Sequence, residues 1–356
     1  MAPFPVAIKK PCRLLIVGGV YVDVINVVTA YPAEDTSCRA LRTTKTRGGN
    51  AANSAVVLSQ LLMASQPGSQ VLWLGVVPDR VNADTMLALS QLEAAGVDTS
   101  HMEVVGEGTG QPTAYITVSQ STGSRTIVST RNGLRELSVK HFTAKIDALL
   151  DHHSKNDATP LSWCHLECRQ MPETLQMARA LSERQLVGHH IYMSLEVEKP
   201  AMQPQQMLPL ISICDVVFFS KEFLHTHEQE ILALGNDSAL PDDESSFAIA
   251  CMSALSAAAH TARGLWICPW GSAGAYAFDT ETGASFFESA LKHEPHLVVD
   301  TVGAGDTFVA ASIFALTSGA TAPEMLCYAC AVAGKKVTQQ GFIGLNAVIP
   351  SFKFCN

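Results

Sequence analysis

The sequence lacks the features of several large protein classes. Its longest apolar stretches, such as residues 14–22, are short and rich in β-branched residues, so they predict strands and not membrane spans. Positive charge is scarce, since 24 Lys and Arg face 33 Asp and Glu for a net charge of -9. That balance argues against a nucleic-acid or acidic-membrane partner bound through a general positive field. The N-terminus also lacks the long apolar region of a secretion signal. We therefore expect a globular, cytosolic protein.

Several common site motifs are missing as well. There is no G-x-x-x-x-G-K-[ST] loop, and no G-x-G-x-x-G follows the first predicted strand, which argues against a P-loop NTPase and a nicotinamide-dependent dehydrogenase. No G-x-S-x-G elbow supports a serine hydrolase. The ten cysteines fit a reduced compartment, and the C-x-x-C of Cys327 and Cys330 has no second pair to complete a zinc site. We therefore expect Cys327 and Cys330 to pack in the core.

Predicted strands and helices alternate along most of the chain, the pattern of a mostly parallel sheet covered by helices on both faces. The strands are predicted at 14–22, 70–77, 162–167, 191–197, 216–220 and 265–269. The helices are predicted at 50–63, 83–95, 172–186, 246–262, 305–318 and 323–338. We expect one α/β domain over residues 12–350, after an N-terminal tail at 1–11.

Two segments, at about 24–48 and 108–131, interrupt the alternation. They contain short β-type runs, two of which are joined by Ser-Thr-Gly-Ser at 121–124, a hairpin signal. These runs predict either a small sheet that stands off the domain as a lid or an edge extension of the main sheet. Residues 235–246, rich in Asn, Asp, Pro and Glu, predict an exposed acidic loop.

The stretch Val-Val-Asp-Thr-Val-Gly-Ala-Gly-Asp-Thr-Phe at 298–308 carries the most functional information. A strand-like run enters a glycine turn and then a helix, which directs unpaired backbone N–H groups and a positive dipole end at one point. Gly303 and Gly305 allow an anion to approach closely, and Asp306 places a carboxylate beside it. The pattern predicts either phosphoryl transfer or an ordinary turn with Asp as a helix cap.

A second group of polar residues lies near the N-terminus. Asp23 follows the first predicted strand, where open α/β sheets place their ligand crevices. Asn50 and Asn53 follow the Gly48-Gly49 turn and fall on one face of a helical turn, where they offer paired donors and acceptors. Taken together these residues predict a polyol or sugar site, although a solvated acid and a plain helix cap would give the same residues.

With these two regions in place, the chain resembles the ribokinase-like (PfkB-type) carbohydrate kinases, in particular the members that phosphorylate ketohexoses such as fructose. The segments that carry the resemblance run in family order: 31–35, 47–54, 124–128, 165–167, 194–200, 299–308 and 332–336. The resemblance implies a three-layer α/β/α sandwich with a small β lid. It also implies an ATP-dependent kinase that uses Mg²⁺, with a monovalent cation such as K⁺ beside the anion loop, and a homodimer formed through the lid.

The resemblance assigns roles to individual positions. It implies Asp306 as the catalytic base, with Gly303, Ala304 and Gly305 as the anion hole. The implied sugar-binding residues are Asp23, Gly49, Asn50, Asn53 and Asp306. The implied ATP-binding residues are Arg125, Gly271, Ser272, Ala273, Gly274, Gly303, Ala304 and Gly305.

Some positions depart from the family pattern. Ser272 and Ala273 stand where the ketohexose-phosphorylating members usually carry acidic residues, and Val309 stands where they often have Asn. These departures concern nucleotide choice more than catalysis. No metal ligand is assigned, although Glu196 or Glu198 could help to organise Mg²⁺. Two alternatives to a fructose kinase stay open: a kinase for another sugar or nucleoside such as ribose, tagatose or adenosine, and a sugar-sensing protein without catalysis.

Overall fold

A computed structural model of the chain describes residues 8, 10–106, 108–156, 159–185, 190–235, 244–260, 264–291 and 297–348. The strands are β1 Arg13–Val17, β2 Tyr21–Val28, β3 Arg42–Gly48, β4 Gln70–Leu74, β5 Val76–Val77, β6 Val97–Asp98, β7 Glu103–Val104, β8 Thr113–Ser119, β9 Arg125–Thr130, β10 Leu161–Glu167, β11 Tyr192–Val197, β12 Val216–Phe219, β13 Leu265–Pro269, β14 Gly274–Asp279 and β15 Ser285–Ser289. The helices are α1 Asn50–Ser65, α2 Ala83–Ala94, α3 Val139–Asn156, α4 Met171–Ser182, α5 Pro204–Ile211, α6 Lys221–Thr226, α7 Glu228–Leu234, α8 Glu244–Ala259, α9 Ala304–Thr317 and α10 Ala322–Val337.

The main sheet has nine strands in the order β15-β14-β13-β12-β11-β10-β1-β4-β6. Its pairings from β6 to β13 are parallel, and β14 and β15 add an antiparallel edge. Alternate residues of one strand enter different cores: Leu14 and Ile16 pack on one side of the sheet, and Leu15 and Val17 pack on the other. A strand buried on both faces needs apolar residues throughout, which explains the continuous apolar runs in the sequence.

Helices cover both faces of this sheet. Helices α1, α2, α9 and α10 contribute to the first core, and α3 to α8 contribute to the second. Because α9 packs against both α1 and α10, the helix that follows the glycine turn lies directly beside the helix that follows Gly48-Gly49. None of the helices in the described part of the chain is long and apolar enough to cross a membrane.

A separate four-stranded sheet, which we call the lid, has the order β3-β2-β8-β9. Its strands fall close to the two segments at 24–48 and 108–131 that interrupt the alternation. Every residue of β9 is exposed. Two of the sequence-derived segments, the tail at 1–11 and the acidic loop at 235–246, lie largely outside the described residues.

The prediction of one strand over 14–22 is wrong, because the chain there forms β1 in the main sheet and then β2 in the lid. Gly18 and Gly19 separate the two strands. A side chain at Gly18 would collide with Glu167 and with Ala51 of α1, so the chain can pass between sheet and helix only with glycine at this point. The structure also has helices that the sequence reading did not identify, such as α3 and α5; α5 contains Pro209, which argues against a helix in the sequence.

Candidate active site

The site lies where the order of the sheet reverses. From β1 the chain proceeds outward through β4 and β6, and it later returns to β10, on the other side of β1, and continues to β15. The carboxyl ends of β1 and β10 therefore border a crevice, the place where open α/β sheets bind ligands. Glu167 ends β10 and accepts a 2.8 Å hydrogen bond from the Gly19 N–H at the end of β1. This contact fixes the floor of the crevice.

The glycine turn before α9 has the geometry that the sequence predicts. Gly303 is the N-cap residue with φ 74°, a left-handed conformation that favours glycine, and a side chain there would collide with Phe342. Thr307 Oγ1 donates a 2.8 Å hydrogen bond to the Gly303 carbonyl and holds the turn against the helix. A side chain added at Gly305 would meet nothing within 4 Å, so open space lies beside the first helical N–H groups. The turn therefore offers room for an anion.

Asp306 belongs to a chain of buried polar side chains that reaches back to the N-terminal region. Asn53 Nδ2 donates a 2.7 Å hydrogen bond to Asp306 Oδ2, and Asn53 Oδ1 accepts a 2.7 Å hydrogen bond from Arg47 Nη1. Ser54 Oγ donates to the Asp306 carbonyl at 3.1 Å. Two residues of the first helical turn of α1 thus hold Asp306, and the two regions singled out in the sequence meet at one site.

Asp23 lies on β2 at the edge of the same crevice. The close approach of its carboxylate leaves no room for a side chain at Gly48, which is why the Gly-Gly turn begins there. Burial raises the pKa of Asp23 to about 6, and the charge of Arg47 opposes this shift. Burial in turn lowers the pKa of Arg47 to about 10, so the guanidinium stays charged at neutral pH and serves both Asp23 and Asp306. The sequence reading assigned no role to Arg47, although its place before Gly48-Gly49 was a usable signal.

Asn50 faces a second carboxylate, Glu196, at the end of β11. Its Nδ2 donates a 3.2 Å hydrogen bond to Glu196 Oε1. Burial, and then the negative charge of Glu196, raise the pKa of Asp306 well above its ordinary value. Glu196 is also buried, and its own pKa is raised by desolvation and neighbouring carboxylates. Two buried acids beside each other form an environment in which one of them can take up a proton near neutral pH.

The lid contributes one contact to the anion turn. Arg125, at the start of β9, donates from Nη1 to Thr301 Oγ1 at 2.6 Å, which brings its guanidinium to the rim of the turn. Beneath the rim, the fully buried Lys336 donates to the carbonyl and to Oδ2 of Asp300, at 3.0 and 2.9 Å. Lys336 thus holds the start of the turn from the protein interior, and Arg125 contacts it from the lid.

Residues 271–274 lie at the start of β14, beside α10. Gly271, Ser272 and Ala273 are exposed, whereas Gly274 is buried with φ 135°, where a side chain would collide with the Glu288 carbonyl. Because α10 packs on both β14 and α9, this segment lies on the same side of the domain as the anion turn. The exposed Ser272 and Ala273 leave the segment without a charged side chain.

The described residues contain no group of three or more His, Cys, Asp or Glu side chains placed to hold a metal ion. Of the two candidates from the sequence, Glu196 is buried and bonded to Asn50, whereas Glu198 is exposed at the end of β11. This donor set does not form a protein cage for a metal. It fits a Mg²⁺ that keeps water and substrate phosphates as most of its ligands.

Other residues of the site received no individual role from the sequence, although residues 165–167 belong to a segment that carries the resemblance. Arg169 bridges Glu167 at 2.6 Å, Glu136 at 2.8 Å and the Tyr21 hydroxyl at 2.8 Å, and so joins β10 to β2. His165 is fully buried on β10, where burial lowers its pKa to about 4 and leaves the ring neutral at neutral pH. Both positions depend on which strands become neighbours, which no local pattern records.

Comparisons with known proteins identify the family and the fold of the chain. A profile described as pfkB family carbohydrate kinase matches residues 13–347. Ketohexokinase from Mus musculus is 32% identical over 345 residues, which cover 94% of this chain and 98% of that protein. Ribokinase from Giardia lamblia superposes with a TM-score of 0.70 at 18% identity, over 95% of this chain and 97% of the other. Ribokinase from Arabidopsis thaliana, solved with ribose and ATP, reaches 0.65 at 19% identity, over 95% and 96%. The predicted fold class is confirmed by these two structures.

Proposed function

This chain belongs to the pfkB family of carbohydrate kinases and is a sugar kinase, and we propose that it is an ATP-dependent ketohexokinase that converts D-fructose to fructose 1-phosphate. The similarity to mouse ketohexokinase supports the choice of a ketohexose. The observation that carries the proposal is the 2.7 Å hydrogen bond from Asn53 to Asp306, because it joins the residues suited to sugar hydroxyls to the turn suited to an anion.

In this proposal Asp306 is the general base. The acceptor hydroxyl of the sugar transfers its proton to the Asp306 carboxylate as its oxygen forms a bond to the γ-phosphorus of ATP, and the bond from that phosphorus to the bridging oxygen breaks to release ADP. A positioned general base contributes about 10² to 10⁴ in rate. The raised pKa of Asp306 suits the role, since a more basic carboxylate is a better proton acceptor.

The anion hole in this proposal is the turn from Gly303 to Gly305. Its N–H groups and the positive end of the α9 dipole face the charge that develops on the transferring phosphoryl group. One such backbone donor is typically worth about 3 to 4 kcal/mol of transition-state stabilisation. The left-handed Gly303 sets the direction of these N–H groups, and the open side of Gly305 admits the phosphoryl group.

Sugar binding is assigned to Asp23, Gly49, Asn50 and Asn53. A buried carboxylate and two amides can satisfy several vicinal hydroxyls at once. Gly49 has φ 97° and a side chain there would collide with the Gly19 carbonyl, so the backbone itself forms this wall of the site. Nucleotide binding is assigned to Arg125 and to residues 271–274, in addition to the anion turn.

Mg²⁺, when bound with ATP, neutralises phosphate charge and lowers the barrier to transfer. Glu198 is the protein group we assign to it, because it directly follows β11 and lies beside Asn50 of the site. For K⁺, all three oxygen atoms of Asp300 next to the turn already accept hydrogen bonds, the carbonyl and Oδ2 from Lys336 and Oδ1 from the Val302 N–H. K⁺ binding therefore stays a prediction from family resemblance. Oxygen atoms other than those of Asp300 would have to coordinate the ion.

A homodimer formed through the lid is part of the proposal. The lid carries exposed large apolar side chains, namely Tyr115, Ile127 and Val128, with exposures of 51%, 51% and 66%. Tyr115 and Val128 are direct cross-strand neighbours on β8 and β9, so they form one apolar surface. Light scattering of wild type and of Val128→Glu tests this: a dimer that the substitution converts to monomer is the expected result.

A panel of sugars tests the proposed activity. With ATP and Mg²⁺ present, the kcat/KM for ADP release should be higher with fructose than with tagatose, ribose or adenosine. The product should carry its phosphate on the 1-hydroxyl, which ³¹P and ¹³C NMR identify. Preference for ribose or adenosine would replace the proposed substrate while keeping the mechanism. Sugar binding without ADP release would indicate a sensor.

A further inference from the structure

A chain of buried polar groups crosses the main sheet and ends on Asn50. The Trp163 indole N–H donates to Ser194 Oγ at 2.8 Å, and Ser194 Oγ lies 2.9 Å from His165 Nδ1. Trp163, Ser194 and His165 are fully buried, on the adjacent parallel strands β10 and β11. Positions in the middle of a covered sheet are usually occupied by apolar side chains. A hydrogen-bonded group of polar side chains at such positions therefore indicates a specific role.

The hydrogen bonds of this buried polar network run from Trp163 through Ser194 and His165 toward Glu196. Trp163 can only donate, so Ser194 accepts from it. Because His165 Nε2 faces a carboxylate oxygen of Glu196, we assign the ring proton to Nε2, and Nδ1 then accepts from the Ser194 hydroxyl. A neutral imidazole that accepts at Nδ1 carries its proton on Nε2. That N–H faces Glu196 Oε2 at 3.8 Å.

His165 and Glu196 face each other without forming a hydrogen bond. Both Nε2 of His165 and Oε2 of Glu196 are buried, and neither has a hydrogen-bond partner in the described part of the protein. The other oxygen, Glu196 Oε1, accepts from Asn50 Nδ2. A carboxylate oxygen accepts and an amide nitrogen donates, so this contact turns the Asn50 amide nitrogen toward Glu196 and leaves Oδ1 as the acceptor on the other side.

We propose that His165 is a positioning residue for sugar binding, which acts through Glu196 to hold the Asn50 amide with Oδ1 directed at a hydroxyl of the sugar. The inference rests on the proposed function, in which Asn50 contacts the sugar. It makes the site selective for a substrate that presents a hydroxyl donor to Asn50. The competing explanation is that His165 only packs against the Phe218 ring, whose centroid is 6.1 Å away.

Substitutions of His165 and Ser194, two members of this buried polar network, separate these explanations. His165→Phe keeps a ring of similar size but removes both nitrogen atoms, so that Glu196 Oε2 faces a carbon ring in place of the imidazole Nε2. We expect this change to raise the sugar KM about tenfold. The KM for ATP should stay within about twofold, because Trp163, Ser194 and His165 lie on β10 and β11, whereas ATP binding is assigned to Arg125, residues 271–274 and the anion turn. His165→Gln restores a donor and should recover part of the sugar KM. Ser194→Ala should act in the same direction as His165→Phe and serves if that variant does not fold.

Ser312→Ala is the matched control. Ser312 is also a fully buried serine, but its hydroxyl donates to the Phe308 carbonyl within α9, away from the chain. We expect its sugar KM to equal that of wild type. If Ser312→Ala raised the sugar KM as much as Ser194→Ala, a general loss of packing would be the cause and the proposal would be wrong.

A double-mutant cycle with Asn50→Ala gives the decisive result. If His165 acts through Asn50, His165→Phe should not raise the sugar KM further once Asn50 is alanine. Equal factors in both backgrounds, or no effect of His165→Phe in either, would overturn the inference. These outcomes require only that wild type phosphorylates fructose. Absence of both turnover and sugar binding in wild type would overturn the proposed function and this inference together.

Discussion

Asn53 and Asp306 are 253 positions apart in sequence and are joined by a 2.7 Å hydrogen bond in a buried site. Asn53 also accepts from Arg47, so both ends of its amide are bound and its orientation is fixed. A hydrogen bond to a charged group contributes about 1.5 to 3 kcal/mol. The bond therefore does more than stabilise the fold: it holds one oxygen of Asp306 and leaves the other as the proposed proton acceptor.

Asp306→Asn should abolish most turnover and keep the fold. We expect kcat to fall by about 10² to 10⁴, because the amide cannot take the proton of the acceptor hydroxyl. Sugar affinity should change far less, since an amide still bonds to Asn53 and to hydroxyls. Coupled ADP assays and calorimetric titration with fructose measure the two quantities. Turnover equal to that of wild type would show that Asp306 is not the base.

Asn53→Ala should lower both activity and stability. It leaves Arg47 and Asp306 without their shared partner, which we expect to cost about 2 kcal/mol in the free energy of unfolding and to reduce kcat at least tenfold. The matched control is Asn82→Ala. Asn82 caps α2 by accepting from two backbone N–H groups, so its loss should cost about 1 kcal/mol of stability without lowering kcat. Equal losses of kcat in the two variants would mean that stability alone explains the effect.

The pH profile of kcat/KM should have an acid limb above the ordinary aspartate range. Asp306 must be ionised to act as a base, and burial and the Glu196 charge raise its pKa, so activity should fall as pH drops through this raised value. Glu196→Gln removes a neighbouring negative charge and should move the limb to lower pH. Glu183→Gln, an exposed site at the end of α4, should leave it in place. A limb that Glu196→Gln does not move would show that another group controls it.

Asp23→Asn should stabilise the protein at neutral pH while it weakens sugar binding. The pKa of Asp23 rises to about 6 on folding, so the folded state binds this proton more tightly than the unfolded chain. Stability due to Asp23 therefore falls as pH rises through the range between about 4 and 6 and stays low above it, and the penalty at pH 7.5 is about 1 to 3 kcal/mol. Thermal unfolding at pH 4 and pH 7.5 should show the gain from Asp23→Asn only at pH 7.5. A gain of equal size at both pH values would contradict this origin.

Arg125→Ala should affect ATP and not the sugar. Its guanidinium lies at the rim of the anion turn, on Thr301, so we expect the KM for ATP to rise about tenfold while the sugar KM is unchanged. Arg42→Ala, an exposed arginine on β3 of the same lid, is the control and should change neither value. Equal effects of the two substitutions would indicate a general effect of lid charge.

The two regions that carry chemistry could be identified from the sequence because each depends on local rules. A glycine turn before a helix leaves backbone N–H groups unpaired at one point, which suits an anion, and Gly303 has the left-handed backbone that such a turn needs. Asn50 and Asn53 share a helix face because they are three residues apart. The strand prediction at 14–22 was wrong for a tertiary reason, since Gly18 is dictated by the approach of α1 and Glu167.

Other features depended on which strands become neighbours. Glu167 and Glu196 are register neighbours because β10 and β11 pair in parallel. The charges of Asp23 and Asp306 both act on Arg47 because the fold brings β2 and α9 close to it. The pKa of a carboxylate depends on burial and on charges that the fold brings near it, so no reading of the chain could give the raised pKa of Asp306.

From the sequence alone, the turn at 298–308 is predicted to be an anion site and the Gly48-Gly49 turn to be part of a site suited to hydroxyls. Tertiary structure decided that they form one site, because helix packing placed Asn53 against Asp306. It also decided the basicity of Asp306, since burial among Glu196 and Asn53 sets the free energy of its charge.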